Sequence, residues 1–156
     1  MGKRIVVVGA GAVGGYIAAH LAKAGENVTV VDPWPEHVEA IRARGLEISG
    51  MTDAEHFIQR LPALHLTDLQ QISKEAPVDI AILSVKSYDT VWATAMIAPY
   101  LADQGYIVSA QNSINEEAIA SVVGFGKTIG CMVGNNYAVD LYEPGRIRRP
   151  MPKGGT

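Results

Sequence analysis

The chain has 156 residues, of which 48% are hydrophobic and 19% are charged; this suffices for one packed core and excludes a disordered chain. Thirteen Lys and Arg against 16 Asp and Glu give a net charge of −3, the opposite of what a general nucleic-acid binder carries. The single cysteine, Cys131, excludes a disulfide framework and a cysteine-based zinc site, and it fits a reducing compartment.

The first apolar run is too short for a signal peptide or a membrane span. Residues 5–8 (IVVV) end at a glycine-rich turn, and His20 and Lys23 interrupt the segment that follows. A spanning helix needs about 18 apolar residues, and no stretch of the sequence approaches that length. We therefore expect a soluble, cytoplasmic protein that binds neither membranes nor nucleic acid.

The rest of the sequence alternates between strand and helix patterns, beginning with a βαβ unit. The β-branched run RIVVV at 4–8 is typical of a strand buried on both faces of a parallel sheet. Pro99 falls inside one predicted helix, where a proline kinks or ends the helix. The alternation predicts an α/β, Rossmann-like, doubly wound and mainly parallel sheet with helices on both faces. The predicted strands cover 4–8, 28–32, 46–49, 64–66, 78–85, 106–109 and 127–133, and the predicted helices cover 16–24, 36–44, 88–102, 116–123 and a short segment from Thr67 or Asp68 to Lys74.

The turn after the first strand has the spacing of a dinucleotide-binding loop: Gly9-Ala10-Gly11-Ala12-Val13-Gly14. In this fingerprint the first glycine makes the tight turn, the second lets a pyrophosphate approach the backbone, and the third lets the helix pack close to the sheet. The phosphates would lie at a helix N-terminus, where free N–H groups and the helix dipole favour anions. We therefore predict that residues 9–14 bind NAD(P)H. The alternative is a glycine turn that packs the helix without a ligand.

Asp32 lies at the tip of the second predicted strand, 23 residues after Gly9. A carboxylate at this place accepts hydrogen bonds from the adenosine ribose hydroxyls of NAD and repels the 2′-phosphate of NADP. No Arg or Lys occurs between Asp32 and Ala40, so the sequence favours NADH. Alternatively, Asp32 caps the turn that follows, as an Asp before a proline often does.

Residues that bind metals or act as nucleophiles are not grouped in the sequence. His20, His37, His56 and His65 are scattered, so we predict no metal site. Cys131 falls in an apolar predicted strand and is expected to be a buried, inert thiol.

Four segments, in order, resemble the N-terminal domain of the ketopantoate reductase (2-dehydropantoate 2-reductase) family. They are IVVVGAGAVGGYIAAHLAKAG at 5–25, VKSYDT at 85–90, QNS and NEEA within 111–118, and EPGRI at 143–147. Many dehydrogenases share the glycine loop alone, whereas the ordered set is more specific. An opine-type or glycerol-phosphate-type dehydrogenase is the alternative that the VKSYDT and QN segments disfavour.

The resemblance implies an enzyme that reduces a 2-oxo acid to a 2-hydroxy acid with NADPH, on the route to pantothenate and coenzyme A. It places Lys86 and Asn112 at the junction of cofactor and substrate, where both would support catalysis and bind the cofactor. Asn112 would orient the substrate hydroxyl or carbonyl, and Lys86 would attract a carboxylate or phosphate. The alternatives are an exposed turn lysine and an asparagine that stabilises its own turn. A homodimer of the full-length protein fits the same resemblance.

Two departures from the family pattern concern the substrate loop and the cofactor. The family has Gln-Asn-Gly, a further residue and Gly, whereas this loop reads Gln111-Asn112-Ser113-Ile114, with both glycines missing and one residue fewer. The difference indicates altered loop geometry or a different 2-oxo acid. Asp32 stands where NADPH-using members favour a basic or neutral residue.

The last 14 residues differ in charge from the rest. Residues 143–156 hold four basic residues and one acidic, a charge of +3 that leaves −6 for residues 1–142. Three prolines and three glycines argue against a packed element there. We therefore divide the chain into an NAD(P)-binding domain over 1–142 and a basic tail over 143–156. The tail would begin the connection to a helical substrate domain; an anion-binding arm is the alternative.

In the family, that helical domain supplies a general-acid lysine and a substrate-binding glutamate. We therefore expect the 156 residues by themselves to bind a dinucleotide but to reduce ketopantoate poorly. A standalone dinucleotide-binding module or sensor subunit is the competing hypothesis.

Overall fold

The computed structural model describes residues 2–132 and 139–151 as an α/β fold. Its first three elements form the predicted βαβ unit, and all residues of the first strand are buried, as the unbroken β-branched run predicted. In chain order, the elements are β1 (Arg4–Val8), α1 (Ala12–Lys23), β2 (Asn27–Asp32), α2 (Pro35–Arg44), β3 (Leu46–Ser49), β4 (Phe57–Gln59), β5 (Ala63–His65), β6 (Val78–Leu83), α3 (Thr90–Ile97), β7 (Leu101–Ser109), α4 (Glu116–Val123), β8 (Thr128–Gly130), β9 (Asp140–Glu143) and β10 (Arg146–Arg148).

Six parallel strands form the main sheet, in the order β5-β2-β1-β6-β7-β8. The central strand β1 pairs with β2 on one side and with β6 on the other, so that Val7 lies between Val30 and Ile82. The chain runs outward from β1 in both directions, which makes the sheet doubly wound. The predicted Rossmann-like class is therefore confirmed.

Helices cover both faces of this sheet and bury two apolar clusters. Successive residues of β1 point to opposite faces, so Val7 belongs to the cluster under α1 and α2, and Val6 to the cluster under α3 and α4. Both valines are fully buried. This packing on both faces fixes the strand ends from which the candidate site is built.

A second, four-stranded mixed sheet, in the order β4-β3-β10-β9, brings the C-terminal residues back onto the domain. Strand β10 pairs in parallel with β3, and Ile147 is fully buried. A Cβ on Gly15 would lie 2.5 Å from Ile147 Cδ1, so this glycine of α1, directly after the loop, makes room for the strand. The prediction that nothing packs from Glu143 onward was therefore wrong for residues 143–149. Residues 152–156 of the predicted tail lie outside the described residues.

The helix predicted over 88–102 is shorter, because it stops at its proline. Helix α3 ends at Ile97, and Pro99 lies in the 3₁₀ turn that follows. A proline inside a helix removes one backbone hydrogen bond and clashes with the preceding turn, so the chain leaves the helix here. Residues 101 and 102, predicted as helix, open strand β7 instead.

The other predicted elements lie close to their expected bounds. Helix α4 has the predicted bounds, α1 starts earlier than expected, and the short helix ending at Lys74 is a 3₁₀ helix. Strand β8 is shorter than predicted, and Val133, the last residue of that prediction, lies outside the described residues. None of the described helices is long and apolar enough to cross a membrane.

Candidate functional site

Four chain segments meet at the carboxyl ends of the central strands. The glycine loop follows β1, Asp32 ends β2, Lys86 follows β6 and Asn112 follows β7. The strand order reverses between β1 and β6, and open α/β sheets bind ligands in the crevice at such a reversal. The structure thus brings all of the predicted site residues to one edge of the sheet.

The loop glycines differ in what surrounds them. Gly9 has φ +89°, and a Cβ there would lie 2.9 Å from the Val85 backbone nitrogen. A Cβ on Gly14 would lie 1.9 Å from the Gly9 carbonyl oxygen, so only glycine lets α1 approach the strand this closely. A Cβ on Gly11, by contrast, would have nothing within 4 Å. The loop is therefore closed toward the sheet and open where a phosphate would approach the backbone.

The N-terminus of α1 supplies hydrogen-bond donors for an anion. The N–H of Gly15 donates to the Gly11 carbonyl oxygen at 2.8 Å, so the N–H groups of residues 12–14 have no partner within the helix. Within α1, which is described throughout, the first turn holds no acidic side chain. The helix dipole adds about half a positive charge at this end. These residues therefore fit a phosphate-bearing cofactor.

Asp32 is buried, and both of its carboxylate oxygens accept backbone hydrogen bonds. Oδ2 accepts from the Ala10 N–H at 2.8 Å, and Oδ1 accepts from the Trp34 N–H at 2.9 Å. The second contact is the turn cap that the sequence offered as an alternative, and the first ties Asp32 to the glycine loop. Each carboxylate oxygen has a second lone pair, so acceptor capacity is left for a ribose hydroxyl.

Lys86 and Asn112 line one cavity of about 90 Å³ together with Val13 at the start of α1. Both side chains are exposed, and Lys86 precedes the short 3₁₀ turn Ser87–Asp89. The cavity therefore joins the glycine loop to the loops after β6 and β7. A cofactor that lies across the loop would bring its far end next to Lys86 and Asn112.

Gln111 holds these two later loops together. This buried side chain donates through Nε2 to the Val85 carbonyl oxygen and to Thr90 Oγ1, each at 2.9 Å. Sequence reasoning quoted Gln111 as part of a motif and missed this role, because nothing in the local pattern shows which loop an amide side chain reaches.

The loop after β7 keeps an unusual backbone at the position where the family pattern has glycine. Ser113 has φ +73° and is the only non-glycine residue with a positive φ in the described part of the chain. The Asn112 carbonyl oxygen accepts hydrogen bonds from Ser87 Oγ at 3.0 Å and from Asn115 Nδ2 at 2.8 Å. These bonds hold the loop in a left-handed turn although serine occupies it.

A larger cavity of about 450 Å³ adjoins the site beyond β7 and β8. Asn112 lines both cavities, while Ile114 and Met132 are 88% and 93% exposed at the larger one. Cys131, predicted to lie buried within a strand, is exposed here, because β8 is an edge strand that ends at Gly130 and its last two residues are themselves exposed. This cavity is therefore lined by polar and apolar side chains.

In residues 2–132 and 139–151, no group of three or more His, Cys, Asp or Glu side chains is placed to hold a metal ion. His37, one of the four scattered histidines, is instead fully buried. Its two ring nitrogens contact the glycine loop and the turn before β10.

The parallel sheet, the open glycine loop and the donors at the N-terminus of α1 together define a dinucleotide-binding domain of the Rossmann class. Comparison with known proteins narrows this class. The chain belongs to the ketopantoate reductase family: the family model described as "Ketopantoate reductase PanE/ApbA" matches residues 5–151. It corresponds to the N-terminal NAD(P)-binding domain of that family.

Individual relatives agree with the family match. The 2-dehydropantoate 2-reductase of Pyrococcus abyssi is 32% identical over 146 residues, which are 93% of this chain and 44% of that protein. The chain thus spans less than half the length of the curated relatives it matches.

Two solved structures have a similar fold. The ketopantoate reductase of the PanE/ApbA family from Ralstonia eutropha JMP134 gives a TM-score of 0.80 at 28% identity, covering 94% of this chain and 46% of that one. The ternary structure of D-mandelate dehydrogenase with NADH and anilino(oxo)acetate gives a TM-score of 0.79 at 25% identity, covering 94% and 45%.

Proposed function

We propose that this chain is the cofactor-binding domain of an NAD(P)-dependent oxidoreductase that reduces a 2-oxo acid to a 2-hydroxy acid, with ketopantoate as the first candidate. The observation that carries the proposal is the glycine loop, which is open at Gly11, closely packed at Gly14 and followed by free helix N–H groups. Membership of the ketopantoate reductase family and similarity to D-mandelate dehydrogenase support this class of reaction.

In this proposal, residues 9–14 bind the pyrophosphate through backbone N–H groups. The bound nicotinamide supplies the hydride. Asn112 donates a hydrogen bond that orients the substrate carbonyl, and Lys86 attracts the substrate carboxylate or a cofactor phosphate. Support comes from the cavity that these two residues share with Val13, which belongs to the phosphate-binding loop.

The proton that the carbonyl oxygen requires is assigned to a different domain. We propose that the NAD(P)-binding domain extends past the predicted boundary at residue 142 to Arg149, because β10 pairs within it, and that the chain after Arg149 leads toward a helical substrate domain, which would supply the general-acid lysine. The Arg149 N–H donates to the Ser49 carbonyl oxygen at 2.9 Å, so such a connection would leave the domain after Arg149. A homodimer and a cytoplasmic location stay predictions.

Titration of the chain with NADH and with NADPH by isothermal calorimetry tests the proposal. Binding of at least one nucleotide with a Kd below about 1 mM is expected, and failure of both to bind contradicts it. Lys86→Ala and Asn112→Ala should weaken binding. Lys74→Ala is the matched control, because Lys74 is exposed and lies away from the strand ends that form the site.

The Asp32 carboxylate makes NADH the expected cofactor, although NADPH is the family norm. Asp32→Arg should weaken NADH binding and improve NADPH binding, but it also removes the hydrogen bonds to Ala10 and Trp34. Trp34→Arg keeps both bonds, since Trp34 contributes only its backbone N–H, and it places a guanidinium beside the same turn at a 41% exposed position. It should raise NADPH affinity relative to NADH. An unsubstituted chain that prefers NADPH by about tenfold or more would contradict the role given to Asp32.

An aromatic 2-oxo acid is a second candidate substrate. The exposed apolar side chains of Ile114 and Met132 at the 450 Å³ cavity favour it, as does the similarity to D-mandelate dehydrogenase. Comparing ketopantoate with benzoylformate in a longer protein that contains this chain separates the two. If the sequence encoded beyond Thr156 supplies no further domain, the standalone dinucleotide-binding module is favoured over both.

A further inference from the structure

His37, on α2, is fully buried and has a hydrogen-bond partner at each ring nitrogen. Nε2 lies 2.8 Å from the Ala10 carbonyl oxygen, and Nδ1 lies 2.9 Å from the Gly145 backbone nitrogen. A backbone N–H can only donate and a carbonyl oxygen can only accept, so Nδ1 accepts from Gly145 and Nε2–H donates to Ala10. The two partners therefore select the neutral ring with its proton on Nε2.

The Ala10 residue is held from two sides. Its N–H donates to Asp32 Oδ2 at 2.8 Å, and its carbonyl oxygen accepts from His37. Ala10 lies between Gly9 and Gly11, which have no side chains to restrain the loop. The contacts of Ala10 therefore decide how the peptide groups of the loop are oriented in front of α1.

The same ring reaches the turn between β9 and β10. Gly145 in that turn has φ +77°, and a Cβ there would lie 3.1 Å from Ala40 Cβ on α2. On its other side, the His37 ring stacks with Trp34, with ring centroids 5.6 Å apart and an interplanar angle of 18°. His37 is thus enclosed, and its ring cannot rotate without losing both hydrogen bonds.

We propose that His37 is a positioning residue for the nucleotide site. Through Nε2–H it orients the Ala10 carbonyl so that the N–H groups of the loop and of α1 face the phosphates. Through Nδ1 it links this loop to the Gly145 turn. One side chain therefore contacts both the glycine loop of the nucleotide site and the turn between the two C-terminal strands. The inference rests on the proposed binding of NAD(P)H.

Two substitutions test the hydrogen bonds of the two ring nitrogens separately. His37→Gln keeps an amide N–H near the position of Nε2 and loses the acceptor for Gly145. His37→Asn keeps an acceptor near the position of Nδ1 and loses the donor to Ala10. Each loses one buried hydrogen bond, so their unfolding temperatures should fall by similar amounts. NADH affinity should separate them: the Gln variant should stay within about threefold of the unsubstituted chain, and the Asn variant should bind at least about tenfold more weakly.

Ile72→Val is the control for a general loss of stability. Ile72 is buried in the cluster on the other face of the sheet, and the substitution should lower stability without changing NADH affinity. Equal losses of affinity in the Gln and Asn variants, or no loss in the Asn variant, would overturn the positioning role. If the unsubstituted chain binds neither NADH nor NADPH, the proposed function fails and the inference fails with it.

The ring tautomer provides a test that does not depend on the variants folding. Long-range ¹H–¹⁵N spectra of the unsubstituted chain should show His37 with a protonated Nε2 and an unprotonated Nδ1, and the His37→Gln spectrum assigns the signal. The pattern should persist when NADH is added. A proton on Nδ1, in the free or the NADH-bound chain, would overturn the proposal.

Discussion

Replacing Gly14 with alanine tests the close approach of α1 to the sheet. The new Cβ would lie 1.9 Å from the Gly9 carbonyl oxygen and 2.8 Å from Ser84 Cβ, whereas Cβ contacts under 3.0 Å essentially never occur. The helix must therefore move by about 1 Å, and overpacking of this kind costs about 1–3 kcal/mol. Alanine recovers up to about 1 kcal/mol through its helix propensity. We expect a net loss of about 1–2 kcal/mol in the free energy of unfolding, with a large loss of nucleotide affinity.

Gly11→Ala is the matched substitution in the same loop. Gly11 has φ −62° and ψ −161°, and an added Cβ would have nothing within 4 Å, so alanine fits without strain. Fewer conformations of the unfolded chain favour alanine by about 0.4–1 kcal/mol, but Gly11 is the N-cap of α1, where alanine is less favourable than glycine, so the free energy of unfolding should change little. Nucleotide binding should nevertheless weaken by at least about tenfold, because the methyl group occupies the space through which the pyrophosphate approaches.

Urea denaturation and NADH calorimetry on the same three samples measure both effects. Gly14→Ala should lose stability and affinity together, whereas Gly11→Ala should lose affinity alone. A Gly11→Ala variant that binds NADH as tightly as the unsubstituted chain would refute the placement of the pyrophosphate at this loop. A Gly14→Ala variant of unchanged stability would refute the close-packing argument.

Three further predictions concern positions outside the glycine loop. Ile147→Ala should lower the free energy of unfolding by about 2–5 kcal/mol in urea, because its fully buried side chain joins the second sheet to α1. Ser113→Gly should raise it by about 0.5–1 kcal/mol, since relief of the left-handed strain outweighs the greater entropy of an unfolded glycine. The third prediction concerns Asp79→Asn. In the unsubstituted chain, hydrogen bonds from the Arg4 backbone N–H and from the Lys3 side chain hold the pKa of the Asp79 carboxyl below its ordinary value of 3.8. The lowered pKa means that the ionised Asp79 carboxylate stabilises the folded chain. This stabilisation is present above the pKa that Asp79 has in the unfolded chain, and it is lost as the pH falls through the pKa of the folded chain. The Asp79→Asn variant should therefore melt at a lower temperature than the unsubstituted chain at pH 7, and the two melting temperatures should approach each other below about pH 4.

Each of these has a control in the chain. Ile114→Ala removes the same kind of side chain at an 88% exposed position, and it should leave stability unchanged within about 0.5 kcal/mol. Asp103→Asn removes an exposed carboxylate and should melt like the unsubstituted chain at pH 7. The control for Ser113→Gly is Ser73→Gly, at an exposed position inside a 3₁₀ helix. Ser73→Gly should lower the free energy of unfolding, whereas Ser113→Gly should raise it. The opposite order would show that the φ of Ser113 carries no strain.

Local patterns in the sequence were sufficient for the first βαβ unit and for the fold class. The run of β-branched residues at 4–8 predicted a strand buried on both faces, and glycine spacing predicted where the helix would meet the sheet. The second sheet could not be predicted in this way. Strand β10 pairs with β3 across about a hundred residues of chain, and no periodicity within either strand of three or four residues identifies its partner.

The candidate site shows the same division between local and long-range information. The motifs were sufficient to predict which loops form the candidate site, because each motif comes directly after a predicted strand. The side chains that hold these loops in place, Gln111 and His37, were missed as such, since each acts on a segment that is distant in sequence. Asp32 was predicted in two alternative roles, and the structure shows its turn cap together with a contact to the glycine loop.

In the folded chain, arginines of the basic C-terminal segment pair with carboxylates of the acidic residues 1–142. Arg146 Nε lies 2.9 Å from Glu47 Oε2, and the nearby Glu47 carboxylate is the main cause of the raised pKa of Arg146. Arg149, which is almost fully buried, forms an ion pair with Glu55. Arg146 and Arg149 thus meet acidic partners on the segment around β3, where their charge helps to set the pairing of two distant segments, while Arg148 pairs with Asp140 on the neighbouring strand β9. This arrangement argues against an anion-binding arm, because a phosphate at these arginines would have to displace carboxylates that already bind them.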